Sequence, residues 1–248
     1  MNYRFYPSAK EASTIILLRP KSDGVFEILM VKRHPGSSFV PDCYVFPGGA
    51  IEDADLHMED LCTGLDVAGA HRILPSVASA DMALGAWIAG IRETFEETGI
   101  LLAYDRSGHM PSSDWTGRGH HSLSYYRSSI LDGRLSFRAF LESQSLTIAA
   151  DRLHYHSQWI TPAGFPIRYD VRFFIAAAPQ DQEAIHDGRE LTDHVWISPE
   201  SALSLYHRGR FNMVLPTVST LRELCRFKTI EEAISEHYEG TDNRSFIG

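Results

Sequence analysis

Apolar and polar positions in the first fifty residues predict a β-hairpin followed by a short strand. Apolar runs at 13–19 and 25–33 predict two buried strands, and the Pro-, Asp- and Gly-containing segment 20–24 predicts the turn between them. A third, shorter run at 43–46 predicts another strand, which Pro47-Gly48-Gly49 stops. The chain therefore begins as a sheet.

A helical repeat follows in the middle of the chain. From Asp81 to Phe95 apolar residues recur at spacings of three and four, which predicts a helix that Asp81 caps. Gly99 stands where a helix of this kind ends, and the apolar run 100–103 predicts a return to strand. Residues 53–80 mix Asp, Gly, Ala, Pro and Ser with short apolar pieces, and we interpret them as an inserted surface segment.

The second half of the chain combines helices and strands without a regular βα repeat. Asp132-Gly133 is a candidate break within a predicted helix at 123–142. Ser198 and Pro199 are typical of the start of a further helix. Predicted strands cover 153–160, 171–178 and 194–197, and predicted helices cover 123–142, 216–228 and 230–238. This order predicts an α+β fold in which helices flank a mixed sheet.

Composition excludes several classes of protein. The formal net charge is −9 and no dense Lys/Arg stripe is present, which argues against a nucleic-acid-binding protein. No apolar run approaches the roughly 20 residues that span a membrane. The three scattered cysteines form neither a metal-binding pattern nor a disulfide framework. Residues 1–7 lack the apolar core of a secretion signal. Residues 245–248 do not match a peroxisomal targeting signal. We therefore expect a cytoplasmic protein.

The strongest chemical signal is an acidic cluster at the end of the central helix. Glu93, Glu96 and Glu97 share one helical face, and Arg92 lies four residues before Glu96. Carboxylates packed together repel one another unless a cation lies among them, and Mg²⁺ prefers oxygen ligands. A solvated acidic face is the alternative. The apolar stretch before the cluster and Gly99 after it favour a metal site at a buried helix end.

The same residues resemble the Nudix hydrolases. Residues 92–100 are similar to the second half of the Nudix box, with Thr94 at an apolar position, and 46–52 are similar to the strand and turn that open it. Asp55 stands where the family has a Glu that braces the box arginine, and Glu52 is the nearby alternative. Residues 56–91, which is 36 positions, separate Asp55 from Arg92 where the family has seven.

A box divided in this way is similar to one subgroup, the peroxisomal coenzyme A diphosphatases and their bacterial relatives. Segments before and after the box agree with it, at 39–49, 159–162, 168–170, 172–174 and 196–199. The resemblance implies a single Nudix domain over 1–248, an α/β/α sandwich, with an insertion at about 56–80. It also implies a homodimer as one oligomeric state.

The resemblance implies a role for particular residues. Mg²⁺, which Mn²⁺ can replace, would be held by Glu93, Glu96, Glu97 and the Gly49 carbonyl. Arg92 would join the catalytic group, and Gly48, Gly49, Asp55 and Gly99 would shape the box. An acid from the loop 179–193 would be the general base, and we favour Glu190 over Glu183 because it lies nearer Trp196. A box glutamate is the other candidate for the base.

Further residues are candidates for substrate contact. Arg33 and Arg168 would steady the phosphates because each adjoins a strand that leads to the pocket, and Arg172 is a weaker candidate. Trp159 and Tyr169 would line the pocket.

The implied reaction is hydrolysis of a diphosphate linkage in a small nucleotide substrate, with coenzyme A or an acyl-CoA as the first hypothesis. ADP-ribose, NADH and dinucleoside polyphosphates are alternative substrates. A nucleotide sensor without catalysis is a second class of function, although such a module is expected to lose box glutamates. Zinc or calcium binding by an unrelated fold is a third.

Overall fold

A computed structural model describes residues 8–21, 24–238 and 245–247 of the chain. Ser22 and Asp23 of the predicted turn lie outside the described residues, as do residues 1–7 and Gly248, on which the two targeting predictions depend.

The elements alternate much as the sequence predicts. The strands are β1 Lys10–Pro20, β2 Phe26–Arg33, β3 Tyr44–Val45, β4 Gly48–Ala50, β5 Ala103–Tyr104, β6 Thr147–Ile148, β7 His154–Ile160, β8 Tyr169–Ala177, β9 Leu191–Ile197 and β10 Ser245–Ile247. The helices are α1 Val67–Ile73, α2 Ala80–Thr98, α3 Leu123–Leu131, α4 Phe137–Gln144, α5 Pro199–His207, α6 Leu215–Leu224 and α7 Ile230–Tyr238.

The main sheet is mixed and has β1 at its centre. β1 pairs in parallel with β8 and antiparallel with β2, and the sheet runs β10-β7-β8-β1-β2-β3. β4 pairs with the first half of β1, and β9 pairs with β2. A small second sheet joins β5 and β6.

Helices cover both faces of the main sheet. Ile15 and Leu17 of β1 point to the face that packs on α1, α2, α3 and α4. Ile16 and Leu18, the alternate residues, point to the face that packs on α5, α6 and α7. Because successive strand residues face opposite sides, one apolar strand serves two cores. The predicted α/β/α sandwich is confirmed.

The segment between the two halves of the box is only partly the surface segment that we predicted. Met58, Ala70, Leu74 and Val77 are buried in the core on the α2 side, and α1 packs against α2. The apolar residues of this segment are too widely spaced to give a periodic pattern. Their burial depends on the surface that α2 offers them.

Several element boundaries also differ from the sequence predictions. The central helix begins at Ala80, and its cap is Ser79, whose side chain accepts from the amide of Met82, rather than Asp81. Gly48–Ala50 forms a strand on β1 instead of only stopping one. Of the strand predicted at 100–103, only Ala103 belongs to β5.

The predicted helix at 123–142 is divided into α3 and α4, and Asp132 and Gly133 lie in the break. Within the described part of the chain, no helix has both the length and the apolar character that crossing a bilayer requires.

Candidate active site

The two halves of the divided box meet where β4 lies against α2. A Cβ atom on Gly49 would lie 2.4 Å from the carboxyl group of Glu93, so a larger residue there would displace that carboxyl group. The Gly48 amide donates to Glu97 Oε2 at 2.9 Å. Gly48 has φ +154°, and a Cβ there would collide with the backbone of β1. The two glycines therefore let the strand carrying them lie directly on the glutamates.

The glutamates occupy the last two turns of α2. The helix ends at Thr98, and Gly99 follows with φ +77°, as the sequence predicts. The side chains of Glu93 and Glu96 are about one-fifth exposed, whereas Glu97 is buried. The acidic face is thus largely withdrawn from solvent, and the structure does not fit the alternative of a freely solvated face.

Arg92 is held in place by Asp55, which directly precedes the insertion in the sequence. Its Nε and Nη2 atoms donate to Asp55 Oδ1 and Oδ2 at 2.9 and 3.0 Å, and the Asp55 side chain is buried. Asp55 Oδ2 also accepts from the amide of Glu52 at 2.9 Å. Asp55, and not Glu52, therefore contacts the box arginine.

The same guanidinium connects both halves of the box. Arg92 Nη2 donates to the Ala50 carbonyl, and Nη1 lies 3.0 Å from Glu93 Oε1 and 3.5 Å from Glu96 Oε1. Arg92 thus fixes β4, the short helical turn that carries Asp55, and α2 against one another.

Burial makes ionisation of the glutamates costly. Desolvation raises the pKa of Glu93 to about 7, although Arg92 opposes this shift. Desolvation also raises the pKa of Glu97 well above its usual range, and repulsion from Glu93 adds to the effect. The pKa of Glu96 is raised for the same first reason, burial. This cluster would be stabilised by additional positive charge.

The donor set fits a hard divalent cation. Asp55, Glu93, Glu96 and Glu97 can carry four negative charges, and among the described residues Arg92 is the only cation in an ion pair with any of them. Carboxylate and carbonyl oxygens suit such an ion. No group of three or more acidic, histidine or cysteine side chains in the described ranges has the geometry of a preformed metal cage. Arg92 holds Glu93 and Glu96 here, so binding would reorient them.

A cavity of about 690 Å³ opens from this site. Glu93, Glu97 and Gly49 lie on its wall, together with Arg33 and Glu190. Trp159 and Tyr169 also line it, as the sequence predicts. The rest of the wall is mostly apolar and includes Phe39, Val40, Pro162, Phe165, Pro166, Ile167, Val214, Leu215 and Pro216.

Other predicted site residues lie elsewhere. Arg168 is not on the cavity wall, and its Nε atom donates to the Thr161 carbonyl at 3.0 Å. Arg172 is buried and pairs with Asp170 and Glu11. Glu183 is exposed and does not line the cavity, and neither does Glu96. A position beside a strand end indicates proximity but does not fix the direction of a side chain.

Sequence reasoning missed several residues of this region, and three of them matter most. Phe165 and Leu215 are 54% and 61% exposed, yet both lie on the cavity wall. Large apolar residues in segments rich in proline were the signal that the sequence offered. Arg127 of α3 donates to the backbone of α2, and nothing in the sequence pattern indicated that contact.

The α/β/α fold and the glycine–glutamate site define the class of Nudix hydrolases, enzymes that cleave diphosphate bonds and generally use divalent metal ions. Residues 70–227 match the family described as the NUDT19 Nudix domain, and the chain belongs to this family.

Individual relatives agree with this assignment. The chain is 27% identical to acyl-coenzyme A diphosphatase NUDT19 of Xenopus laevis, over 90% of this chain and 71% of that protein. It is 25% identical to the Homo sapiens protein of the same name, over 91% of this chain and 67% of that one. The crystal structure of a NUDIX hydrolase from Alicyclobacillus acidocaldarius superposes with a TM-score of 0.76 at 26% identity, over 92% and 96% of the two chains.

Proposed function

We propose that this chain is a Mg²⁺-dependent hydrolase that cleaves the diphosphate of coenzyme A or an acyl-CoA, and that Mn²⁺ can replace Mg²⁺. One observation carries the proposal. The wall of one cavity carries the carboxyl groups of Glu93 and Glu97, beside Gly49, together with the large apolar side chains of Phe165 and Leu215. A substrate with a diphosphate and a long, partly apolar arm matches both kinds of wall residue. The names of the frog and human relatives agree with this substrate.

Glu93, Glu96, Glu97 and the Gly49 carbonyl would hold the metal. When bound, such an ion offsets the charge of the diphosphate and lowers the pKa of a coordinated water. Glu96 lies off the cavity wall, beside Arg92, so its carboxylate would have to turn away from Arg92 to join the other two. Arg92 would hold the end of α2 against β4, because Asp55 fixes its guanidinium and its Nη2 atom donates to the Ala50 carbonyl.

Glu190 would take the proton from the attacking water. It lies on the cavity wall with Glu97, and its charge is near enough to raise the pKa of Glu97. The water oxygen bonds to phosphorus, the bridging P–O bond breaks, and the proton passes to the Glu190 carboxylate. Glu190 lines the cavity and Glu183 does not, which favours Glu190 as the base.

Arg33 would bind a phosphate. It lies on the cavity wall, and its Nε atom donates to the Phe39 carbonyl, which fixes the direction of the guanidinium. Trp159 and Tyr169 would contact the organic part of the substrate. Arg168 and Arg172 have structural contacts instead and are not part of this proposal.

A substrate panel tests the function. Metal-depleted protein would be incubated at pH 7–9 with and without Mg²⁺, in parallel with CoA, acyl-CoA, ADP-ribose, NADH and diadenosine polyphosphates, and the products separated by chromatography. We expect Mg²⁺-dependent cleavage of CoA or acyl-CoA to adenosine 3′,5′-bisphosphate and a phosphopantetheine. Faster cleavage of another compound would replace the substrate, and binding without cleavage of any compound would indicate a sensor.

We also propose that residues 1–248 form a single domain, that the protein acts in the cytoplasm, and that a homodimer is one of its states. The shared core of α1 and α2 supports the first point. Limited proteolysis, cell fractionation and light scattering test these three proposals in turn.

A further inference from the structure

The carbonyl groups at the C-terminal end of α2 have an unusual set of hydrogen-bond partners. The last four carbonyl groups of a helix have no partner within the helix and must find one elsewhere. In α2 these carbonyls belong to Phe95, Glu96, Glu97 and Thr98, next to the carboxylates of the box. The Gly99 amide donates to the Phe95 carbonyl at 2.9 Å, as in a common helix end. The other three are bound by residues distant in sequence.

Arg127 of α3 binds two of them. Its Nε atom donates to the Glu96 carbonyl at 2.9 Å, and its Nη2 atom donates to the Glu97 carbonyl at 2.7 Å. The residue is 9% exposed, and in the described part of the chain it takes part in no ion pair within 4 Å. A buried guanidinium is therefore directed at the negative end of the α2 dipole rather than at a carboxylate.

The fourth carbonyl joins α2 to the loop that carries Glu190. The amide of Ile185 donates to the Thr98 carbonyl at 2.8 Å. Just before it, the Gln182 side chain accepts from the Leu101 amide and donates to the Leu101 carbonyl. This loop is thus attached to the residues that directly follow the box.

Asp187 extends the arrangement to Glu190. Its carboxylate accepts from the amides of Arg189, Glu190 and Leu191, which fixes the backbone of the proposed base. Among the neighbouring charges, that of Asp187 acts most strongly on Arg127. Arg127 therefore lies between the backbone of the glutamates and the segment that holds Glu190.

We propose that Arg127 is a positioning residue that sets the box carboxylates relative to one another and to Glu190. It is not on the cavity wall, so it acts through the backbone of Glu96 and Glu97 and not by touching substrate. The proposal rests on the metal site of the proposed function. Loss of a hydrogen-bond partner that orients metal-binding residues typically lowers metal affinity about 10- to 100-fold.

Two substitutions separate this role from simple stability. Arg127→Met keeps an unbranched stem of similar length but leaves two buried carbonyls without a donor. Arg127→Lys keeps the charge and can donate to one carbonyl but not to both in the fixed fork of a guanidinium. Arg138→Met is the matched control, because Arg138 lies on neighbouring α4 and pairs with exposed Asp60 and Glu142.

Mn²⁺ binding to the full chain is the readout, since a loss of global stability alone does not change it well below the unfolding temperature. Free Mn²⁺ would be followed by electron paramagnetic resonance in metal-depleted protein, at a temperature where circular dichroism shows each variant folded. We expect Arg127→Met to weaken binding at least about tenfold. Arg127→Lys should fall between it and the wild type, and Arg138→Met should match the wild type. The KM for substrate at saturating metal should change less than about twofold, because Arg127 does not line the cavity.

Unchanged Mn²⁺ affinity in folded Arg127→Met overturns the positioning role and leaves the proposed function intact, because that function needs only wild-type binding and turnover. If the wild-type protein binds Mn²⁺ normally but cleaves no diphosphate, the proposed function is contradicted. The Mn²⁺ affinities of the variants still test the positioning role of Arg127 in that case. If Arg127→Met does not fold, Arg127→Lys must by itself weaken binding at least about threefold, and equal affinity in that variant overturns the role.

Discussion

Asp55 and Arg92 form a buried, bidentate ion pair with Nε–Oδ1 and Nη2–Oδ2 distances of 2.9 and 3.0 Å. The 36 residues 56–91 separate the two partners in the sequence. The pair connects the turn after β4 to α2. Arg92 in turn contacts Glu93, so the position of the acidic cluster depends on a residue far from it in sequence.

Loss of the Asp55 carboxylate should therefore reduce both stability and activity. Asp55→Asn leaves a buried guanidinium with one fewer ionic partner, and removing one member of a buried pair typically costs about 3–5 kcal/mol. Urea denaturation of the metal-free protein measures the free energy of unfolding.

Asp60→Asn is the matched control for this substitution. Asp60 lies in the same segment and pairs with Arg138, but the carboxylate is 59% exposed, so we expect a loss below about 1 kcal/mol. Equal losses in the two variants would contradict a special role for the Asp55–Arg92 pair.

Glu97→Gln should stabilise the metal-free protein. Burial raises the pKa of Glu97, so the folded state binds more protons than the unfolded state, and stability falls as the pH rises. Glutamine does not ionise and avoids this loss, so the gain should be larger at pH 8 than at pH 5. We expect an increase of at least about 2 °C in Tm at pH 8, the shift for about 1 kcal/mol in a protein of this size.

Glu183→Gln provides the comparison in the same thermal experiment, since that side chain is exposed and off the cavity wall. Its Tm should match the wild type at both pH values. A Glu97→Gln variant that is less stable than the wild type at pH 8 would refute this account of the buried charge.

Metal binding should release protons near neutral pH. The pKa of Glu93 is raised to about 7, so this carboxyl is largely protonated at pH 6 and ionised at pH 9. A cation binds the ionised form, so its apparent affinity should fall as the pH drops through about 7. Calorimetric titration of Mg²⁺ in buffers of different ionisation enthalpy counts the protons. Release that is equal at pH 6 and pH 9 would argue against Glu93 as a ligand.

The apolar residues Phe165 and Leu215 of the cavity wall should govern the preference of the enzyme for the acyl chain. Phe165→Ala and Leu215→Ala remove apolar wall, so kcat/KM should fall about fivefold or more for a long-chain acyl-CoA and less for free CoA, as for loss of about 1 kcal/mol of apolar contact. Ile73→Ala, which removes an exposed aliphatic residue of α1 away from the cavity, should change neither value. Equal losses with both substrates would place the acyl chain elsewhere.

The sequence predicts where the acidic cluster lies, because Arg92 to Gly99 lie on one continuous helix end. Helical spacing alone brings Glu93, Glu96 and Glu97 to one face, and a glycine ends the helix. The sandwich is equally predictable, because β1 is apolar on both faces.

Contacts between distant segments were not predictable in the same way. The burial of Met58 and Leu74 depends on the surface of α2, and the bonds of Arg127 depend on how α3 crosses the end of that helix. Arg168 stands beside a strand end, as predicted, but its bond to Thr161 keeps it off the cavity wall. These outcomes follow from packing, which a one-dimensional pattern does not contain.

The most direct test of the central claim is the rate of acyl-CoA cleavage by Glu97→Gln at saturating Mg²⁺, compared with wild type and Glu183→Gln. The Glu97 carboxylate lies on the cavity wall and accepts from the amide of Gly48, so it belongs to both halves of the divided box. We expect kcat to fall at least about 100-fold in Glu97→Gln, as for loss of several kcal/mol of metal-assisted stabilisation, and to stay near wild type in Glu183→Gln. Full turnover by folded Glu97→Gln would contradict the claim that these glutamates form the hydrolytic centre.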